Sequence, residues 1–331
     1  MSYGAQTKLG IARQASAGTA VTVATSYHPI AFLSEDIGLE KQEVISQNLT
    51  GRFDEGAVYS GPSNIAGTLS VELTPRSIGA ALAAVVNHSP TSVSSDSIRS
   101  LAFLPNTVDF SSLLVKAPFS IYKQWTDADS GEQFYDCQFT GIEFTLAQGA
   151  FTQAQVTVAG GTRTATGIGS ANILPDGNDI RTLFPWNVAS ISYGGAGVSN
   201  YSDLKISLQE NIAPLYAINN TLAPYKYTRT TFRQVVVNGT FYLVDRTMLN
   251  NFAADTQARL VVTLVNTLAA IQSGYYNTLT IDVPQLKITA FKPAANGPGE
   301  ISVPFTGRGV LDPSSYYSIK FSQVTTWQGG F

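Results

Sequence analysis

The sequence predicts a mainly β protein built from two similar halves, and three observations carry that expectation. Short runs alternate apolar and polar residues with the period of two that a half-buried strand requires, as in Ala154, Val156 and Val158 against Gln153, Gln155 and Thr157. Helical signals are scarce, the clearest being Thr74 as N-cap, Pro75 at the first helical position and an apolar run from Ile78 to Val86. The order of elements before a Gly/Ser/Thr-rich stretch also recurs after it.

In chain order, residues 1–27 are small and polar, sustain neither strand nor helix period, and read as an N-terminal arm. A first β domain is expected over 28–160, with strands at Ile37 to Glu43, Leu69 to Leu73, Ser120 to Trp125, Phe134 to Leu146 and Ala154 to Val158. Residues 161–184 open with Gly161-Thr162-Arg163-Thr164 and continue rich in Gly, Ser and Thr, the composition of a linker. A second β domain is expected over 185–331.

The echo between the halves is specific. Ile37-Gly38-Leu39-Glu40-Lys41-Gln42-Glu43 is matched by Leu204-Lys205-Ile206-Ser207-Leu208-Gln209-Glu210, each followed by a long aperiodic segment, 46–64 and 211–230. Gly67-Thr68-Leu69 before a helix is matched by Gly239-Thr240-Phe241 before a helix around 245–252. Phe134 to Leu146 with Gln153 to Gly160 corresponds to Thr278 to Phe291 with Glu300 to Gly307, a pair of strands closing each half.

Composition narrows the function. Of 331 residues, 20 are Lys or Arg and 23 Asp or Glu, a net charge of -3, so the basic footprint of a nucleic-acid reader is missing. Charged residues make up 13%, against about 25% in ordinary soluble domains. Interface cores are depleted in Lys, Glu and Asp, so this poverty of charge suits a protein that works in an assembly, or else a Thr/Ser-rich β protein with a neutral surface. Cys137, the one cysteine, has no partner for an intrachain disulfide. Met1 to Ala5 lacks the opening of a signal peptide, and the apolar stretches 78–86 and 260–271 fall short of the roughly 20 residues of a membrane span. A soluble chain made in the cytoplasm is expected.

Enzymatic motifs are missing. His28 and His88 have no companion ligands, and no H-E-x-x-H, paired cysteines or G-x-S-x-G occurs, so neither metal, cofactor nor catalytic residues are expected. Asp36, Glu40, Asp54, Glu55, Asp127 and Asp129 are the carboxylates that a glycosidase would need, but each falls at a strand edge or in a turn where Asp suits the backbone. Thr126-Asp127-Ala128-Asp129-Ser130-Gly131 lacks the closing Glu of a calcium loop. Aromatics such as Tyr275, Tyr276, Tyr316 and Tyr317 read as strand and interface packing.

The arm with Ala17-Gly18-Thr19-Ala20, the strand Ile37 to Glu43 with its long loop, the step Gly67 to Pro75, and the strands Gly141 to Leu146 and Gln155 to Val158 together resemble the major tail tube proteins of long-tailed, non-contractile bacteriophages. The resemblance covers nearly the whole chain. It implies two tandem β-sandwich or small-barrel domains, each flanked by one short helix. It further implies a structural virion protein, not an enzyme, made in the host bacterial cytoplasm and residing in the virion tail.

On that resemblance, rings stack into a tube conducting double-stranded DNA, which passes without specific binding. Two domains per chain would close a pseudo-sixfold ring from three subunits, a homotrimer. The implied partners are further copies and the tape-measure, tail terminator and distal tail proteins, with no membrane. A tube protein of a contractile tail or secretion system, or a carbohydrate-binding β-sandwich, is the alternative.

Alternation then nominates Glu143, Gln153, Gln155, Thr157, Lys287 and Thr289 to line the lumen, with an uncharged or acidic lining expected. The arm and the two long loops are nominated to join stacked rings, mobile in free subunits and ordered on docking. Their apolar contacts would come from Leu49, Phe53, Val58, Tyr59, Leu215, Tyr216, Leu222, Tyr225 and Tyr227.

Overall fold

The computed structural model describes residues 7–22, 27–46, 57–86, 91–95, 98–105, 118–125, 131–164, 183–218, 221–243, 246–293 and 300–326. The protein is mainly β, of the β-sandwich class, with large antiparallel sheets and two helices among the described residues. Up to residue 164 the strands are β1 (Lys8–Arg13), β2 (His28–Ile30), β3 (Ser34–Glu35), β4 (Gly38–Ile45), β5 (Val58–Glu72), β6 (Thr91–Ser95), β7 (Ile98–Phe103), β8 (Phe119–Gln124), β9 (Gly131–Ala147), β10 (Gln153–Ala159) and β11 (Thr162–Thr164). Beyond it follow β12 (Ala189–Tyr193), β13 (Ala196–Val198), β14 (Tyr201–Gln209), β15 (Ile212–Leu215), β16 (Lys226–Arg229), β17 (Gln234–Tyr242), β18 (Gln257–Gln272), β19 (Tyr275–Phe291), β20 (Ser302–Gly309) and β21 (Lys320–Thr325).

Eight of these strands form one continuous antiparallel run in the order β4-β5-β10-β9-β14-β17-β20-β19. Its midpoint is the β9–β14 ladder, Gly141 to Ala147 against Gln209 to Asp203, which joins the halves by main-chain hydrogen bonds. The two long strands each serve two neighbourhoods. The N-terminal part of β9 lies between β8 and β11, in a sheet that continues through β1 to β2. The N-terminal part of β19 lies between β18 and β21, in a run from β13 and β12 through to β7 and β6.

Ladder registers correspond between the halves. Laying Ile37–Glu43 on Leu204–Glu210 and Gly67 on Gly239 brings the pair Gly38–Ala66 onto Lys205–Asn238, and Glu40–Asn64 onto Ser207–Val236. Laying Gln153–Gly160 on Glu300–Gly307 brings Val158–Gly67 onto Phe305–Gly239.

Helix α1 (Pro75–Val86) begins where the cap signal places it: Ser77 N–H donates to Thr74 Oγ1 at 3.3 Å and Ile78 N–H to Thr74 O at 3.0 Å. Every residue of α1 but Arg76 is buried, because elements of both halves surround it, β9 and β7 from one and β19 and β21 from the other. Burial all round explains its uninterrupted Ala/Leu/Val run, which no one-sided amphipathic helix would carry. Helix α2 (Thr247–Ala253) is shorter and packs on β19, as α1 packs on β9.

Several sequence expectations change. The arm holds strand β1, paired with β2 on one side and β8 on the other; Leu9 to Ala12 are all buried, so no alternation marked it. Past the arm strand, Gly18 N–H donates to Asp136 at 2.8 Å. Thr162–Thr164 of the expected linker pairs with β9, and Phe184 is buried with its carbonyl accepting from Thr152 N–H at 2.9 Å. Residues 58–64 belong to β5 rather than to a loop, and 211–230 contains the β15–β16 hairpin. The stretch near 260–271, weighed only for membrane spanning, is part of β18, the longest partner of β19.

Candidate functional site: the polar face across the two halves

Alternation, broken only at local bulges, gives the eight-strand run one buried and one solvated side. Inward point Leu69, Val71, Ala154, Val156, Ile142, Phe144, Leu204, Ile206, Val235, Val237, Val303 and Phe305, all buried. The opposite side chains line up from strand to strand. One transverse row reads Ser70, Gln155, Glu143, Ser207, Val236, Arg308 and Lys287, each the register partner of the next. A second reads Glu72, Gln153, Thr145, Lys205, Asn238 and Thr306. A third carries Thr68, Thr157, Gly141, Gln209 and Gln234.

The structure therefore brings Glu143, Gln153, Gln155, Thr157 and Lys287 onto one polar face, although they come from both halves. Thr289 lies at a bulge in β19, exposed, with its hydroxyl donating to Thr306 O at 3.1 Å. Sequence reasoning missed the members supplied by β14, β17 and β20. The parity of Lys205, Ser207 and Gln209 against Leu204, Ile206 and Leu208 held the signal.

The face carries few charges and nearly balanced ones. They are Glu40, Glu72, Glu143 and Asp203 against Lys205, Lys287 and Arg308, and the first two cations are paired, Lys205 Nζ with Glu143 at 3.5 Å and Lys287 Nζ with Asp255 at 2.9 Å. Exposed pairs of this kind contribute at most about 1 kcal/mol, so their effect is to dilute the field rather than to hold the sheet. Polar, near-neutral and repetitive, the face offers hydration without a grip on polyanions.

The loop residues are placed differently from one another. Leu49 and Phe53 lie outside the described residues, as do Asp54, Glu55, His88, Asp127 and Asp129. Val58, Tyr59, Leu215, Tyr216, Leu222 and Tyr225 are exposed. The β15–β16 segment is nevertheless anchored: Ser63 N–H donates to Leu222 O at 2.8 Å and Tyr216 hydroxyl to Ser63 O at 3.3 Å. Tyr227 is turned inward. Its hydroxyl accepts from Gly161 N–H at 2.6 Å, its ring covers Gly160, and burial pushes its phenol well above the usual range.

Of the other chemically interesting groups, Asp36 accepts from the Thr68 hydroxyl at 3.1 Å, a turn-fastening role, while Glu40 stands exposed on β4. Buried Lys123 pairs with Glu35 at 2.8 Å and donates to Ile37 O at 2.8 Å. Cys137 is buried, and burial raises its thiol pKa. Among the described residues no group of three or more His, Cys, Asp or Glu could hold a metal ion, and no helix is long and apolar enough to cross a membrane. A cleft of about 580 Å³ opens beside the junction of the halves, lined among others by Trp186, Tyr201, Asp203 and Tyr242.

A charge-poor chain, with a broad polar sheet face running unbroken through two linked halves, has the build of a self-assembling structural protein. Its sequence matches the family model described as phage tail tube protein over residues 4–309, and the chain belongs to that family. Members are structural components of the virion tail that assemble into a tube. No curated protein matches the chain by sequence.

Proposed function

We propose that three copies of this chain close a ring and that rings stack into the tube of a long, non-contractile tail, conducting the DNA genome into the host. The reading treats 28–160 and 185–331 as duplicated domains. One observation carries it: the β9–β14 ladder joins two four-strand sets, β4-β5-β10-β9 and β14-β17-β20-β19, edge to edge. Repeating that junction between copies makes a closed barrel without sheet edges. Three copies supply roughly 24 strands, and at about 4.8 Å spacing and a tilt near 40° these enclose a backbone diameter of about 48 Å.

The polar face would line the lumen, where Glu143, Gln153, Gln155, Thr157, Lys287 and Thr289 meet hydrated DNA. Cations that are few and mostly paired keep the duplex from being held by counterion release. Leu49, Phe53, Leu215 and Tyr225 would help to join one ring to the next. Tape-measure, tail terminator and distal tail proteins are the expected neighbours, and synthesis in the host cytoplasm precedes assembly.

Native mass spectrometry of assembled protein tests the ring: three chains per ring is the expected mass, and six chains would overturn the reading. Symmetry-averaged electron micrographs should show a threefold axis with six similar lobes.

A further inference from the structure

Within one chain the second half reaches back over the first. The β15–β16 hairpin leaves the end of β14, covers the corner where β10 parts from β5 just beyond the pair Ala159–Ala66, and returns into β17. Tyr227 seals that corner, so close that a Cβ on Gly160 would stand 2.3 Å from its ring. Ser63, three residues before Ala66, holds the hairpin through Leu222 and Tyr216.

In the second half the pair equivalent to Ala159–Ala66 is Thr306–Asn238, but β17 and β20 stay paired for three residues more, and the corner where they part lies just beyond Gly309–Val235. Among the described residues no hairpin covers it. Phe232, three residues before Val235, is 92% exposed, and Leu311, two after Gly309, is 58% exposed. The first half in turn has its own hairpin, β4–β5, whose far described pairs are Val44–Tyr59 and Ile45–Val58. There Tyr59, on the returning strand as Tyr227 is on its own, is 66% exposed and Val44 and Val58 stand beside it. Among the described residues, then, one hairpin is seated on a corner, one has no seat and one corner has no cover.

Resting on the ring reading above, we infer that the Tyr59 end of the β4–β5 hairpin of one copy closes over the Phe232–Leu311 corner of the neighbouring copy in the same ring, as Tyr227 closes over Gly160 within the chain. The direction follows from the internal example. The covering hairpin springs from β14, which pairs with β9, and lands on β10 and β5 beyond it. A copy whose β4 lies beside its neighbour's β19 carries its hairpin onto β20 and β17 in the same sense. Hairpin and corner are different surfaces, so the contact is heterologous and propagates around a ring until it closes.

The test uses full-length chains bearing Tyr59→Cys or Phe232→Cys, since the native Cys137 is buried. The two variants are mixed, assembled and treated with a short bismaleimide. The expected result is a crosslink between one chain of each kind, in isolated rings as well as in tubes, and none with either variant alone. Rings of the expected mass without that crosslink overturn the clasp and leave the ring reading standing. A crosslink confined to stacked tubes also overturns it, since the hairpin would then reach along the axis. Failure to form rings sinks both. Independently, Phe232→Ser should leave subunit unfolding unchanged but raise the concentration needed for ring assembly at least about tenfold. Unchanged assembly would count against the clasp.

Discussion

Glu210 is wholly buried and grips Arg233, whose Nε donates to its Oε1 at 2.8 Å, while Arg229 closes on its other oxygen. The carboxylate stands where β14 ends and the β15–β16 hairpin begins, so it fastens the root of the segment that reaches across to the first half. Glu210→Ala leaves a guanidinium only 12% exposed without its counter-charge and should cost about 3–5 kcal/mol, read as a lower urea midpoint. Glu43, which ends the echoing strand, is exposed, and Glu43→Ala should change stability by no more than about 0.5 kcal/mol.

Gly160 has φ +89 and no room for a side chain under Tyr227. Gly160→Ala should therefore destabilise by more than about 1 kcal/mol, through both the backbone and the displaced ring. Tyr227→Phe keeps the ring and removes only the bond from Gly161 N–H, so about 1 kcal/mol is expected. Equal losses from the two substitutions would contradict this division.

Burial pushes the Tyr27 phenol up to about 12, with its hydroxyl donating to Val21 O at 2.9 Å and accepting from Gln133 at 2.8 Å. A raised pKa favours the neutral form in the folded chain. That stability is fully present below pH 10 and is lost as pH rises through about 12. The loss should reach about 2–3 kcal/mol, visible in alkaline denaturation profiles. Tyr27→Phe should flatten the fall over this window while costing about 1 kcal/mol at neutral pH.

Gln153→Lys together with Gln155→Lys adds two cations to exposed positions of the polar face. Folding should be unaffected. Assembled tubes should bind duplex DNA more tightly at low salt, the logarithmic salt slope steepening by about 0.9 for each new phosphate contact. Binding that stays as weak and as salt-insensitive as before would place this face away from DNA.

Legibility in the sequence followed the number of wet faces an element has. Strand β10 was read to within a residue because Ala154, Val156 and Val158 are buried and Gln153 and Gln155 are not. The cap at Thr74-Pro75 located α1 because capping is local chemistry. Strand β1, buried on both faces, and the β4–β5 extension, exposed on both, show no alternation, so the sequence presents them as arm and loop. The polar face was half legible: parity was clear within each strand, but that Glu143 would neighbour Ser207 depends on the β9–β14 pairing, which no local pattern encodes. Tyr227 looks like its neighbours in the sequence because nothing in a run of loop aromatics says which one will find a glycine beneath it.

Strand β21 pairs with β7, setting Phe321 against Phe103, residues more than two hundred positions apart. The first half therefore borrows a strand from the second, and α1 packs against that borrowed strand as well as against β9. Without β21 the first half would present an open strand edge at β7, a surface ready to pair with a wrong partner. Any chain stopped before residue 320 never closes that edge.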